Sequence, residues 1–305
     1  MQWETQIRPG LCAQSAVALG YFDGVHLGHR AVLSAARAWA QGHGAATAVF
    51  TFTLPPHAAL MGAHILQDEE KRSRLSACGA EVVLCPPFEA FRALSCEAFV
   101  AQVLCGALGA QAVFCGPNFT FGSGRAGDAH LLRKLCAARG IEVHVVPLAC
   151  WQGQVVSSTR IRAALAQGDM PAVNAMLAQP YAVSLPVRHG RGNGRQWGFP
   201  TINQVYPGGL LVPREGVYIS RVTLADGTVH PGATGLGSRP TVNDDAADVT
   251  CETFLPGFSG DVYGEAARLV LCRYLWPTRK FDSVDGLRQM VRQAAAAALE
   301  SWQGA

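Results

Sequence analysis

The sequence predicts two domains in succession: a parallel α/β domain, then a smaller antiparallel all-β barrel closed by a terminal helix. Three observations predict it. From Ser15 to about Gly153, short apolar runs alternate with stretches of helical spacing; after Tyr181, glycine and proline become dense between short strand-like segments; and residues 283–302 carry an amphipathic to alanine-rich helical pattern.

The apolar runs 16–19, 46–52, 81–84, 112–115 and 143–147 have strand length, and 29–41, 69–78, 96–108 and 129–139 have helical spacing. Alternation of this kind predicts a doubly wound sheet whose ligand lies beyond the carboxyl ends of the strands. Residues 158–179 read as two short helices with Gly168 and Pro171 between them, a linker counted with the first domain, 1–180. In the second domain, 181–305, the segments 181–187, 216–224, 249–254 and 267–275 have strand character, and Ser283 is placed to cap the last helix.

Composition narrows the function. With 305 residues, 49% of them hydrophobic and 15% charged, the chain can bury two cores, which excludes disorder as its main state. Its 25 basic and 22 acidic residues are scattered, and the net charge of +3 forms no basic stripe, so nucleic acid is not an expected partner. The uncharged stretch 99–124 is broken by Gly106, Gly109, Gly116 and Pro117, so no membrane span is expected. The N-terminus has neither a basic n-region nor an apolar h-region, which points to the cytoplasm. The ten cysteines include no CxxC and read as small hydrophobes.

Several common chemistries are excluded by inspection. The three lysines, Lys71, Lys134 and Lys280, never follow glycine, so there is no Walker A loop, and HExxH and GxSxG are absent. A GxGxxG at Gly122, Gly124 and Gly127 follows a late strand, whereas a dinucleotide fingerprint belongs after the first.

Two constellations remain. The first runs from the first strand into the first helix: Gly20, Tyr21, Phe22, Asp23, Gly24, Val25, His26, Leu27, Gly28, His29. Two imidazoles at a helix N-terminus beside glycines suit a polyphosphate, because free amides and the helix dipole attract anions and imidazoles can donate as charge builds on a phosphate. Catalysis would then be positioning plus charge stabilisation, as nucleotidyl transfer requires. Ser157, Ser158, Thr159 and Arg162, at the last strand-to-helix junction, offer hydroxyls and a guanidinium for the same phosphates. Phe119 and Phe121 are either stacking surface for a flat ring or anchors of a loop.

The second constellation holds Gly194, Gly198, Phe199, Pro200, Thr201, Ile202 and Asn203, then Gly237, Ser238, Arg239, Pro240, Thr241 and Glu252, and later Asp261, Tyr263 and Lys280. Gly190, Gly192 and Gly194 read either as a mobile loop that could cover a nucleotide or as a plain hairpin connection.

With GYFDGVHLGH at 20–29, TF at 51–52, GPNFTFGSGRAGD at 116–128, SSTRIR at 157–162 and GFPTIN at 198–203, the chain resembles the bacterial bifunctional riboflavin kinase/FMN adenylyltransferases, also called FAD synthetases. The resemblance implies a Rossmann-like nucleotidyltransferase domain followed by a six-stranded riboflavin kinase barrel. It implies ATP held by Gly20, Phe22, Asp23, Gly24, His26, His29, Ser157, Ser158, Thr159 and Arg162 in the first domain, with Asn118, Phe119 and Asp128 on the flavin side. In the barrel it implies nucleotide contacts from Gly194, Gly198, Pro200 and Thr201, Mg²⁺ on Thr201 and Asn203, and Glu252 as flavin contact and general base. Riboflavin, FMN and ATP are the implied substrates and Mg²⁺ the implied cofactor. One retained activity, most readily the adenylyltransferase, and a non-catalytic flavin- or nucleotide-binding regulator stand as alternatives.

The chain departs from the family pattern in places. The usual TFxPHP reads Thr51, Phe52, Thr53, Leu54, Pro55, Pro56, His57; E-x-H-x-x-D-F becomes Glu252, Thr253, Phe254, Leu255, Pro256, Gly257, Phe258; Trp276 stands at a common arginine and Gly235 at a frequent asparagine.

Overall fold

The computed structural model describes residues 1–54, 63–190, 194, 197–239, 248–279 and 283–303. The chain forms two compact units, one of Met1–Gly62 and Lys71–Ser158, the other of Ala63–Glu70 and Thr159–Ala305.

Up to residue 155 the elements are β1 (Gln2–Glu4), β2 (Ser15–Leu19), α1 (Leu27–His43), β3 (Ala46–Phe50), α2 (Asp68–Ala77), β4 (Val82–Leu84), α3 (Cys96–Phe99), β5 (Ala110–Cys115), β6 (Thr120–Phe121), β7 (Gly127–Asp128), α4 (Ala129–Ala137), β8 (Glu142–Val145), β9 (Cys150–Trp151) and β10 (Gln154–Val155). Helix α3 runs on as a π-helical segment, Val100–Ala107. Six parallel strands form one sheet in the order β1-β4-β3-β2-β5-β8. Strand β2 is central and buried along its whole length, which is why it reads as a continuous apolar run. From β2 the chain proceeds to β3 and β4 on one side and returns to β5 and β8 on the other, so the strand order reverses between β2 and β5. In an open α/β sheet that switch point opens a crevice at the carboxyl edge. Val17, Phe50, Phe99, Leu104 and Val113 lie in the core that holds it rigid. The expected sheet is present, with β1 as an added edge strand.

In the second unit α5 (Ser158–Gln167) contributes from Thr159 onward, and α6 (Met170–Leu177) starts with Asp169 as cap and Pro171 already in its first turn. From Thr159 onward these helices fall within the second compact unit. Six antiparallel strands follow: β11 (Ala182–Pro186), β12 (Thr201–Val205), β13 (Gly216–Thr223), β14 (Val229–Arg239), β15 (Asp248–Phe254) and β16 (Ala266–Trp276), in the order β11-β16-β13-β14-β15-β12. The end strands are drawn together by one side chain: the Gln204 amide on β12 donates to Leu185 O on β11 at 2.8 Å and to Ala267 O on β16 at 2.9 Å. Inside, the hydroxyls of Ser220, Thr234 and Thr253 form a buried chain at 2.7 and 2.8 Å, satisfying one another. Helix α7 (Val284–Gln303), capped by Ser283 Oγ accepting from Gly286 N–H, packs Met290 and Ala294 against Val217 and Ala233.

Candidate active sites

In the first unit the motif-bearing loops leave the carboxyl edge of neighbouring strands. Thr51 and Phe52 follow β3, Gly20 to His26 follow β2, Gly116 to Thr120 follow β5, and Ser157 and Ser158 follow β8 by way of the β9–β10 hairpin. Parallel strands with a switch point between β2 and β5 therefore gather residues from distant parts of the sequence around one crevice.

The loop after β2 is the most constrained. Phe22 and Val25 adopt left-handed backbone, with φ of 54° and 45°, and Gly24 has φ of 93°. Such conformations cost non-glycine residues on the order of 1–3 kcal/mol each and persist only where neighbours over-determine them. Here Phe22 and Val25 are fully buried, the Thr51 hydroxyl donates to Tyr21 O at 2.8 Å, and the Ser158 hydroxyl donates to Asp23 O at 3.0 Å. Ser158 thus reaches the loop of the first motif through the backbone carbonyl of Asp23, whose own side chain is buried.

His26 is the N-cap of α1. Its Nδ1 accepts from His29 N–H at 3.3 Å, and the two imidazoles stack with centroids 3.6 Å apart, 14° from parallel. Gly28 permits this, because a Cβ there would stand 3.2 Å from His26 Cε1. Burial lowers the His26 pKa to about 4; burial, then the charges of His26 and Lys71, hold His29 well below the usual histidine range. Both rings are therefore neutral at pH 7. With Nδ1 accepting, the proton of His26 is on Nε2, a donor at the N-terminus of α1.

Other expected residues have additional structural roles. Asn118 is exposed, while Phe119 packs partly against the core and stacks on buried Phe121 at 5.9 Å, so both rings anchor the loop. Asp128 is exposed and caps α4, accepting from Leu131 N–H at 2.9 Å, and that bond lowers its pKa. The GxGxxG glycines fall in and beside the β6–β7 hairpin, far from a first strand-to-helix turn. Thr159 and Arg162 belong to the second unit, where the Arg162 guanidinium donates to Ala63 O at 3.3 Å. His57 lies outside the described residues.

One residue passed over by motif reading is at this edge. Lys71, on α2, is only 8% exposed; its Nζ donates to Thr51 Oγ1 at 2.9 Å and lies 4.9 Å from the centre of the Tyr21 ring. The signal available in the sequence was the scarcity of lysine.

In the second unit a cavity of about 1000 Å³ opens between the sheet and α7. Thr201 and Asn203 alternate onto one face of β12, and Asn203 pairs directly with Glu252 on β15, with Gly235 of β14 on the other side of Glu252. Gly194, Pro200, Thr201, Asn203 and Glu252 all line the cavity; Gly198 does not, and turns the chain beside it with φ of 85°. Of the neighbours of Glu252, Phe254 shares its face, whereas Cys251 is fully buried on the other. Phe199, Phe258, Leu287 and Met290 give part of the wall an apolar surface suited to a flat aromatic ring. Across the mouth His189 stacks on Tyr263 at 3.7 Å.

Family comparison matches both halves. An FAD synthetase model covers residues 11–160 and a riboflavin kinase model residues 177–302. The bifunctional riboflavin kinase/FMN adenylyltransferase of Listeria monocytogenes is 33% identical over 279 residues, 89% of this chain and 87% of that protein; its Escherichia coli K12 counterpart is 32% identical over 289 residues, 93% and 91%. This chain belongs to the bifunctional riboflavin kinase/FMN adenylyltransferase family. A Streptococcus pneumoniae crystal structure described as a macrolide-efflux protein has a TM-score of 0.88 and 28% identity over 98% of this chain and 99% of its own. Among the described residues no helix is long and apolar enough to cross a membrane.

Against the family pattern, the altered residues Phe254 and Phe258 form cavity wall, and Gly235 leaves space beside Glu252. Arg195, Pro240, Thr241 and Lys280 lie outside the described residues. The donor set suits a hard cation: a hydroxyl and an amide oxygen on one strand face, with the Asn203 nitrogen donating to Thr201 O at 3.3 Å. Among the described residues no group of three or more His, Cys, Asp or Glu could hold a metal ion. None of the ten cysteines forms a disulfide, and burial pushes the thiol of Cys251 up to about 12.

Proposed function

We propose that the barrel phosphorylates riboflavin with ATP to give FMN and ADP, and that the α/β unit joins FMN to ATP to give FAD and pyrophosphate. The observation that carries the reading is Glu252 opposite Asn203 and on one face with Thr201, because the altered residues around Glu252 are what would most readily silence the kinase. In the kinase step the Glu252 carboxylate takes the proton of the ribityl hydroxyl as its oxygen attacks the γ-phosphorus, while Thr201 and Asn203 hold the phosphates in line. Mg²⁺, when bound there, offsets phosphate charge. Gly194 and Pro200 border the nucleotide, and Gly198 sets the turn that presents them.

In the adenylyl step an FMN phosphate oxygen attacks the α-phosphorus and pyrophosphate leaves. His26 and His29, with the α1 amides, donate to the nonbridging oxygens as charge develops; Gly20, Phe22, Asp23, Gly24, Ser157 and Ser158 shape the cradle, and family likeness adds Thr159 and Arg162. Asn118, Phe119 and Asp128 border the flavin. The enzyme acts in the cytoplasm, where unpaired thiols persist.

The test is incubation of flavin-free full-length protein with riboflavin or FMN, excess ATP and Mg²⁺, with chromatographic separation of the flavins. FMN followed by FAD is expected from riboflavin. FAD from FMN alone would reduce the protein to one activity, and no product from either would leave a flavin- or nucleotide-binding regulator.

A further inference from the structure

We propose that Lys71 is a positioning residue for FMN adenylyl transfer, holding the strained loop that presents the two histidines and placing a fixed positive charge behind them. The inference rests on assigning adenylyl transfer to the first unit. A lysine this buried carries a large desolvation cost unless its ammonium is satisfied. Three of its contacts belong to the machinery: Thr51 Oγ1 at 2.9 Å, Phe52 O at 3.5 Å and the face of Tyr21 at 4.9 Å.

The contacts form a relay. Lys71 Nζ donates to Thr51 Oγ1, and the Thr51 hydroxyl donates onward to Tyr21 O, the carbonyl just before left-handed Phe22. Tyr21 meets Phe52 in a tilted contact with centroids 4.8 Å apart, and Phe22 meets His29 edge-on at 5.1 Å. The ammonium thus ties the exits of β3 and β2 together and, through Phe22, sets the ring of His29. Its charge also reaches His29 directly, lowering its pKa alongside burial and His26. A positive charge at that place favours the anionic phosphates that replace water in the crevice and grows in value as charge develops on them.

Because Lys71 is almost covered, it acts through the loop rather than as a substrate ligand, which predicts a particular kinetic signature. Lys71→Met is expected to lower kcat for FAD formation from FMN by at least about tenfold while KM for ATP changes by less than about threefold, the pattern of a lost transition-state interaction. Lys71→Arg, which keeps the charge, is expected to recover most of that loss, and amide hydrogen exchange of the β2 and β3 strands in the same full-length variants reports whether the first unit is folded. Thr51→Val breaks the relay while keeping the lysine, and its kcat is expected to fall several-fold. The proposal is overturned if Lys71→Met keeps wild-type kcat, if only KM rises, or if arginine rescues nothing. Should Lys71→Met fail to fold, a wild-type kcat in Thr51→Val overturns it. Wild-type protein that makes no FAD from FMN would instead overturn the assignment of adenylyl transfer itself.

Discussion

Asn203 of β12 and Glu252 of β15 face each other directly across an antiparallel pair, and both line the cavity beneath α7. Side chains directly opposite in such a pair have Cβ atoms roughly 4.5–5.5 Å apart, so the proposed phosphate-side ligand and the proposed base would face one substrate. Glu252→Gln keeps the shape and removes the base. Riboflavin phosphorylation is expected to fall by about 10²–10⁴-fold, the usual worth of a general base, with FAD formation from FMN unchanged. Parallel assays of the two reactions check it; equal loss of both would remove Glu252 from the kinase step.

In the proposed kinase site Thr201 and Asn203 would offer two neutral oxygens to a divalent cation, which would then be held largely by nucleotide and water. Chelation by EDTA is expected to abolish FMN formation, and added Mg²⁺ to restore it. Asn203→Ala is expected to raise the Mg²⁺ concentration needed for half-maximal kinase rate by about tenfold or more. A magnesium titration of the variant decides the matter.

Gly190 makes room for the Asn203 amide: a Cβ there would lie 2.6 Å from its Nδ2. Gly190→Ala therefore displaces a candidate ligand without touching the base. Kinase activity is expected to fall with the same magnesium dependence as Asn203→Ala, and the double variant to be little worse than either single one, since both remove the same interaction. Kinetics of the four proteins test the coupling.

The pKa of His26 is about 4 in the folded chain because its ring is buried. An unfolded histidine titrates near 6.5, so between about pH 6.5 and 4 the unfolded chain takes up a proton that the folded one refuses, and stability falls as the pH drops through that window, by at most about 3 kcal/mol from this group. His26→Asn keeps a capping side chain. Its stability is expected to vary less with pH across the same interval, as measured by hydrogen exchange of the α1 amides. An unchanged pH dependence would show that His26 is not the buried neutral group.

Parallel and antiparallel halves, the motif loops and most strands were legible in the sequence because each follows from a local pattern: apolar runs for the buried strands and HxGH at a helix start. The two-residue strands β6, β7, β9 and β10 were not, nor were three longer ones. β1 is too short to show a period, β12 buries the polar Gln204 where alternation calls for an apolar residue, and β14 carries Pro231, Gly232, Gly235 and Gly237, which read as loop. They are strands because neighbours on the sheet supply their hydrogen bonds and, for β12, because the Gln204 amide bridges β11 and β16. The role of Lys71 and the register that sets Asn203 against Glu252 depend on residues far apart in the chain. Spacing along a sequence encodes local periodicity; which residues meet across a sheet is set by strand order, pairing and burial, and those exist only once the chain has folded.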